Sequence, residues 1–144
     1  MIVKECMTKS VELVTPDMDV VEAAKKMRDG DFGIVPVQKD DRLVGMLTDR
    51  DIAIRCVAEN RDCKSIHVGE IMTDKVLYCF EDQDLNEVAE NLGDNQIRRL
   101  PVLNRDKRLV GILSLGDLTL SRELNPNQIK GTMNKISQPN HQAR

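Results

Sequence analysis

Aromatic side chains are almost missing from this chain: no tryptophan, one tyrosine and two phenylalanines occur in 144 residues. The core must therefore be built from Val, Ile, Leu, Met and Ala. Long apolar runs are also missing. No stretch approaches the ~18 residues that a membrane span needs, so a membrane partner is not expected. The opening residues, MIVKECMTKS, lack the apolar region of a signal peptide, and a cytoplasmic protein is expected. An excess of basic residues is lacking as well. The net charge is -3, which argues against a nucleic-acid surface. Arg98–Arg99 and Arg105, Lys107 and Arg108 gather locally, but Asp82, Asp84 and Asp106 lie scattered among them.

Catalytic motifs are absent too. There is no GxSxG, P-loop or HExxH, and no GxGxxG after a strand. The two histidines, His67 and His141, fall in a connector and in the tail, where neither suggests catalysis or a metal. The chain reads as not an enzyme, with no cofactor required. Four cysteines, Cys6, Cys56, Cys63 and Cys79, show no CxxC spacing. They are expected to be reduced, buried thiols, with a Cys56–Cys63 bridge as the alternative.

What is present is a unit written twice. VKECMTKSV at Val3 to Val11 matches VGEIMTDKV at Val68 to Val76. The same offset pairs Asp17 with Asp82, Glu22 with Glu87 and Pro36–Val37 with Pro101–Val102. By Gly45 and Gly111 the offset has grown by one residue. The polar tips QKDDR (Gln38 to Arg42) and NRDKR (Asn104 to Arg108) are the natural place for that insertion, because loops tolerate one.

Each copy reads as a short lead ending in Met-Thr, a short strand (Val11 to Val14; Val76 to Cys79), a helix, two strands around a polar tip, and a second helix. In the first helix of copy one, Asp17 is the expected cap and Val20, Val21, Ala24 and Met27 the apolar stripe. In copy two the stripe is Leu85, Val88, Ala89 and Leu92. Gly30 and Gly93 stand where C-terminal caps favour glycine. The tips suggest hairpin loops somewhat longer than two residues, and Pro36 and Pro101 should sit at a strand start or edge. The second helices are expected over Asp49 to about Glu59 and Asp117 to about Glu123. The fold class is thus α/β of the α+β type, as two tandem β-α-β-β-α units. Residues 1–65 form unit one with its connector, 66–124 unit two, and 125–144 a polar, mobile tail.

Each copy ends on the same signature, LVGMLTDRDI (Leu43 to Ile52) and LVGILSLGDL (Leu109 to Leu118). A buried strand turns straight into a helix start, with Thr48 and Asp51, or Ser114 and Asp117, in capping-box spacing. A carboxylate with two acceptor oxygens suits the paired hydroxyls of a ribose. A hydroxyl with free backbone N–H groups suits a phosphate. The same spacing also stabilises a helix start by ~1 kcal/mol with no ligand at all. Arg50 beside one signature, and Arg98 and Arg99 before the other strand pair, make the two copies unequal.

Met-Thr leads, apolar-Pro-Val runs and Gly-apolar-apolar-[Thr/Ser]-x-x-Asp endings, in this order and twice over, resemble a CBS-domain pair (a Bateman module) from about Ile2 to Glu123. The resemblance implies two units packed as a pseudo-twofold sandwich with clefts that take an adenosine-containing ligand: AMP, ADP, ATP, S-adenosylmethionine or an NAD-type molecule. It places ribose contacts on Asp51 and Asp117 and phosphate contacts on Thr48 and Ser114. Base contacts fall near Ile34, Val35 and Pro36, and near Arg99, Leu100 and Pro101. Another wall is implied around Thr8 to Val11 and Thr73 to Val76. The resemblance also implies a homodimer packed through helices, with the Val20–Met27 stripe and Ile52 and Ile54 as candidate interface, and leaves room for an unidentified effector protein. The competing expectation is a homodimeric scaffold that has kept the fold and lost its ligand.

Overall fold

The computed structural model describes residues 1–9, 11–121 and 124–139. They form two compact units whose boundaries are not those of the repeat: Met1–Val11 joins Leu77–Arg144, and Glu12–Val76 stands as the other. Each copy thus surrenders its Met-Thr lead to the sheet of the other copy.

In the Glu12–Val76 unit, helix α1 (Val20–Gly30) precedes strands β1 (Ile34–Lys39) and β2 (Arg42–Thr48), which pair antiparallel. Helix α2 (Asp49–Ile52) runs on into a π-helical turn, Ala53–Val57, and α3 (Val68–Ile71) follows the connector. Val14 pairs parallel with Val37 on one side of the hairpin, and Thr73 pairs with Met46 on the other. Val20, Ala23 and Met27 of α1 are buried with Val35, Val37, Leu47, Cys56, Val68 and Ile71. Val20, Ala23 and Met27, on the stripe expected as a candidate interface, fill the unit's own core. Val21 and Ala24, expected on it, are only half-buried, and Ala23 takes their place.

The other unit repeats the plan. Strand β3 (Cys79–Phe80) lies parallel to β4 (Arg99–Leu103), which pairs antiparallel with β5 (Leu109–Ser114). Thr8 pairs with Ile112 on the far side of β5. Helix α4 (Leu85–Asp94) buries Leu85, Val88, Ala89 and Leu92, as its spacing predicts, and α5 (Leu115–Thr119) follows β5.

Glycine explains the lead. A Cβ on Gly45 would stand 2.8 Å from the Thr73 carbonyl oxygen, and one on Gly111 would stand 2.8 Å from that of Thr8. Met72 and Met7 lie over the same two glycines, with Sδ at 2.7 Å from each built Cβ. The Met-Thr and the Leu-Val-Gly motifs of each signature therefore meet in space, the strand lacking a side chain where the lead crosses it.

Several expectations need correcting. Asp19, not Asp17, is the residue before α1, and Asp84 occupies the same place before α4. The left-handed positions after these helices belong to Asp31 and Gln96, both at φ 55°, because Gly30 and Gly93 still lie inside the last turn. Gly30 makes room for the Phe32 ring, and Gly93 for another helix. The hairpin tip of copy one is only two residues, Asp40–Asp41, both at positive φ as a tight I′-type turn requires. Pro36 is buried inside β1, an edge strand of the two-stranded β1–β2 sheet as expected, whereas Pro101 is buried inside β4, the central strand of the other sheet. Their partners Met46 and Ile112 spend their own N–H and C=O groups on Thr73 and Thr8, so neither proline is asked for a donor. The helix expected from Asp117 begins at Leu115 and ends at Thr119, and its anticipated end at Glu123 lies outside the described residues.

The segment expected as a mobile tail carries α6 (Pro126–Ser137), capped by Asn125. It packs on α4. Thr132 is buried with its hydroxyl donating to the Ala89 carbonyl, Lys135 pairs with Asp94 at 2.7 Å, and Gln128 donates to Asn86 at 3.1 Å. Besides these hydrogen bonds, Leu124 and Ile129 pack against the core that holds Val88, Ala89 and Leu92, and Gly93 supplies the close approach. Residues 140–144 lie outside the described residues.

Two cysteines are joined, which corrects the expectation of four reduced thiols. Cys56 and Cys63 form a disulfide, while Cys6 and Cys79 are free. Among the described residues no helix is long and apolar enough to cross a membrane.

Candidate functional site

The two strand-to-helix turns are built alike. Thr48 accepts from the Asp51 N–H at 2.9 Å, and the Asp51 carboxylate accepts from the Thr48 N–H at 3.0 Å. Ser114 and Asp117 repeat this at 3.1 Å and 2.9 Å. Both capping boxes are complete without a ligand. The surroundings of the two carboxylates differ.

In the Glu12–Val76 unit, Asp51 is only 4% exposed. Its second oxygen faces Arg55 Nε at 3.9 Å. Arg55 also donates to the carbonyls of Ile71 and Met72 at 3.1 Å and 3.2 Å. The first N–H groups of α2 are occupied: Asp49 donates to the Gly33 carbonyl, Arg50 to the Asp49 carboxylate and Asp51 to Thr48. Ile34 pairs with Thr48, Pro36 with Met46 and Thr73 with Met46, so these candidates are neighbours; Arg50 is exposed beside them. Asp49 adds a further negative charge at the turn. The expected free N–H groups are not found here.

In the other unit Asp117 is half-buried. The exposed Thr8 donates its hydroxyl to Asp117 at 3.2 Å, and Arg99 pairs with Ser114 across the strands. Leu115 donates to the Arg98 carbonyl at 2.8 Å and Asp117 to Ser114, which leaves the Gly116 N–H without a partner among the described residues. Arg98 and Arg99 are exposed and form no ion pair among the described residues. Pro101 is buried within β4. Thr8, Ser114, Asp117 and Arg99 are thus brought together, with Arg98 adjoining. This turn carries one acid and two arginines, where the equivalent turn carries Asp49 and Asp51 against Arg50 and Arg55.

Three participants were not foreseen. Arg55 stands four residues after Asp51 on a helix, a spacing that could have shown it. Asp49 marks only a helix start in the sequence. Cys6 donates its thiol to the Asp117 carbonyl at 3.2 Å across 111 positions, which no local signal announces. Burial, and then the Asp117 charge, push the Cys6 thiol up from its ordinary range. A shallow groove of about 550 Å³ runs along α1 past Thr15, Asp19, Glu22 and Lys26, and none of the candidate residues lines it. Among the described residues, no group of three or more His, Cys, Asp or Glu is placed to hold a metal ion.

The CBS-domain family model matches residues 3–57 and 68–122, and the chain belongs to that family. It is 38% identical over 123 residues to the CBS domain-containing protein YhcV of Bacillus subtilis, covering 85% of this chain and 86% of that protein. The crystal structure of Hypoxic Response Protein I with two coordinated zinc ions superposes with a TM-score of 0.74 at 34% identity, over 83% of this chain and 98% of that one. The CBS domain pair of MJ0100, in complex with 5′-methylthioadenosine and S-adenosyl-L-methionine, superposes with a TM-score of 0.71 at 28% identity, over 83% and 98%.

Proposed function

We propose that the chain is a regulatory ligand-binding module, not an enzyme, and that it takes an adenosine-containing nucleotide at the Ser114–Asp117 turn. One observation carries the choice of turn. Asp117 is half-exposed and oriented by Thr8 and Ser114, beside the side chains of Arg98 and Arg99 and a Gly116 N–H that have no ion-pair or hydrogen-bond partner among the described residues. Asp117 would hold ribose hydroxyls. The arginines and the Gly116 N–H would receive phosphate, because charge-assisted hydrogen bonds are the strong ones. The Thr48–Asp51 turn is a poorer phosphate site, its carboxylate buried and its first N–H groups used. That the MJ0100 pair is described with two adenosine derivatives supports the ligand class.

Calorimetric titration with AMP, ADP, ATP, S-adenosylmethionine and NADH tests this reading. Asp117→Asn retains an oxygen for the cap, and it should weaken binding by at least ~10-fold, about 1.4 kcal/mol. Asp51→Asn should change affinity little, and Arg98→Ala with Arg99→Ala should weaken the phosphorylated ligands selectively. Binding lost in Asp51→Asn alone would overturn the assignment. A flat panel would favour the scaffold reading, which the completed capping boxes support.

The proposal includes self-association through the second helices. Ile54 is 49% exposed and Leu120, at the equivalent position of copy two, is 83% exposed. Light scattering should return a dimer that Ile54→Asp with Leu120→Asp dissociates; a wild-type monomer at micromolar concentration would refute it.

A further inference from the structure

The π-helical turn that continues α2 carries Cys56, which is fully buried in the core of the Glu12–Val76 unit. Its disulfide partner Cys63 lies in the connector and is half-buried. Inside the loop this bond closes, the Arg61 N–H donates to the Cys56 carbonyl at 3.0 Å, and Cys56 is also within 3.6 Å of the Arg61 carbonyl. Beyond Cys63 the chain reaches buried Ile66 and Val68, then α3, then Thr73 on Met46 of β2. From the other side of Cys56, the adjacent Arg55 spans the same ground, donating to Ile71 and Met72 while facing Asp51. One covalent bond and one guanidinium therefore hold the α2 start, the connector and the Met-Thr lead together.

We propose that the Cys56–Cys63 bond is a reversible redox clamp on this unit. Oxidised, it keeps Arg55 seated between Asp51 and the Met72–Thr73 lead; reduced, it frees the π-helical turn and the connector, and Arg55 leaves both contacts. Cys63, half-buried where Cys56 is fully buried, is the cysteine that an external dithiol attacks. A thiolate of the dithiol bonds to Cys63, and Cys56 leaves as a thiolate and takes up a proton. The second thiol of the reductant then displaces Cys63, so that the dithiol ends as a disulfide and two electrons and two protons have passed to the cysteines. A disulfide oxidant reverses the sequence. Cys6 and Cys79 do not compete well, since both thiols are pushed up, Cys79 to about 12 by burial. The clamp acts on the Thr48–Asp51 turn and does not rest on the ligand assigned to the other turn.

Hydrogen exchange on the full chain tests the clamp in three forms: oxidised, treated with dithiothreitol, and Cys63→Ser. Thiol titration in denaturant should count two free cysteines in the oxidised form and four in the reduced one. Both bridge-free forms should keep their far-ultraviolet circular dichroism, with exchange at residues 49–57 and 71–73 at least ~10-fold faster than in the oxidised form, as expected for local opening. In oxidised Arg55→Met, residues 71–73 should already exchange fast, with no further gain on reduction. Four thiols persisting after treatment with glutathione disulfide would overturn the proposal. So would faster exchange confined to residues 58–66, or loss of the fold on reduction in both bridge-free forms, since either result makes the bond a staple.

Discussion

Replacing Gly111 by alanine isolates the contact that ties each signature to its lead. The new Cβ would meet Met7 Sδ at 2.7 Å and the Thr8 carbonyl oxygen at 2.8 Å. The sulfur can move, being near the end of a flexible side chain. The carbonyl cannot move alone, because the Thr8 N–H and C=O are both bonded to Ile112, at 2.9 Å and 3.0 Å. Relief of the clash therefore separates the lead from β5. Two backbone hydrogen bonds contribute about 1 kcal/mol each. Residual crowding in a packed core adds about 1 kcal/mol, the low end for overpacking. The expected loss is about 3 kcal/mol, or about 9 °C at roughly 3 °C per kcal/mol for a chain of this length. Urea denaturation gives the free energy, and hydrogen exchange at Thr8 and Ile112 locates it. Gly45→Ala should cost the same within about 0.5 kcal/mol, since Met72 and Thr73 stand at the same distances from it. Adding Met7→Ala should recover less than half of the loss. Full recovery in that double variant, or a loss below about 1 kcal/mol for Gly111→Ala, would refute the argument.

Two further outcomes follow from the packing. Gly93→Leu should lift α6 from α4, because the glycine Cβ position lies 3.4 Å from the Thr132 backbone and 3.1 Å from the Lys135 side chain. Trypsin should then cut at Lys130 and Lys135 faster than in the wild type, and unchanged protection would show that α6 docks elsewhere. The Cys79 thiol, pushed up to about 12 by burial, binds its proton in the folded state at pH values where the unfolded chain has lost it. Its contribution is complete below about pH 9 and falls as pH rises toward 12, at up to about 1.4 kcal/mol per pH unit. Cys79→Ala should remove that slope from the wild-type stability profile; an identical slope in the variant would refute the assignment.

Much of the fold was legible because it is local and repeated. Short apolar runs, polar tips and the Thr48–Asp51 and Ser114–Asp117 spacings each act over a few positions, and the duplication supplied every reading twice. The capping boxes are the clearest case: both were expected from spacing and both are present. Leu85, Val88, Ala89 and Leu92 line one helix face simply because 3.6 residues make a turn. Local pattern failed where space, not periodicity, sets the residue. Gly30 and Gly93 looked like caps but serve Phe32 and α6, and Asp31 and Gln96 accept the left-handed backbone instead.

The sequence by itself determined the repeated strand–helix plan, the polar tips and the identity of the residues at the two helix starts. Only the tertiary structure decided which lead joins which sheet, since a contact such as Thr8 with Asp117, 109 residues apart, leaves no trace in local pattern. It also decided the inequality of the two turns. Asp51 and Asp117 look alike in sequence, but burial and Arg55 close one carboxylate, while the other is half-exposed and bonded to the exposed Thr8. Desolvation and partner geometry are properties of the packed chain, and a one-dimensional spacing carries neither.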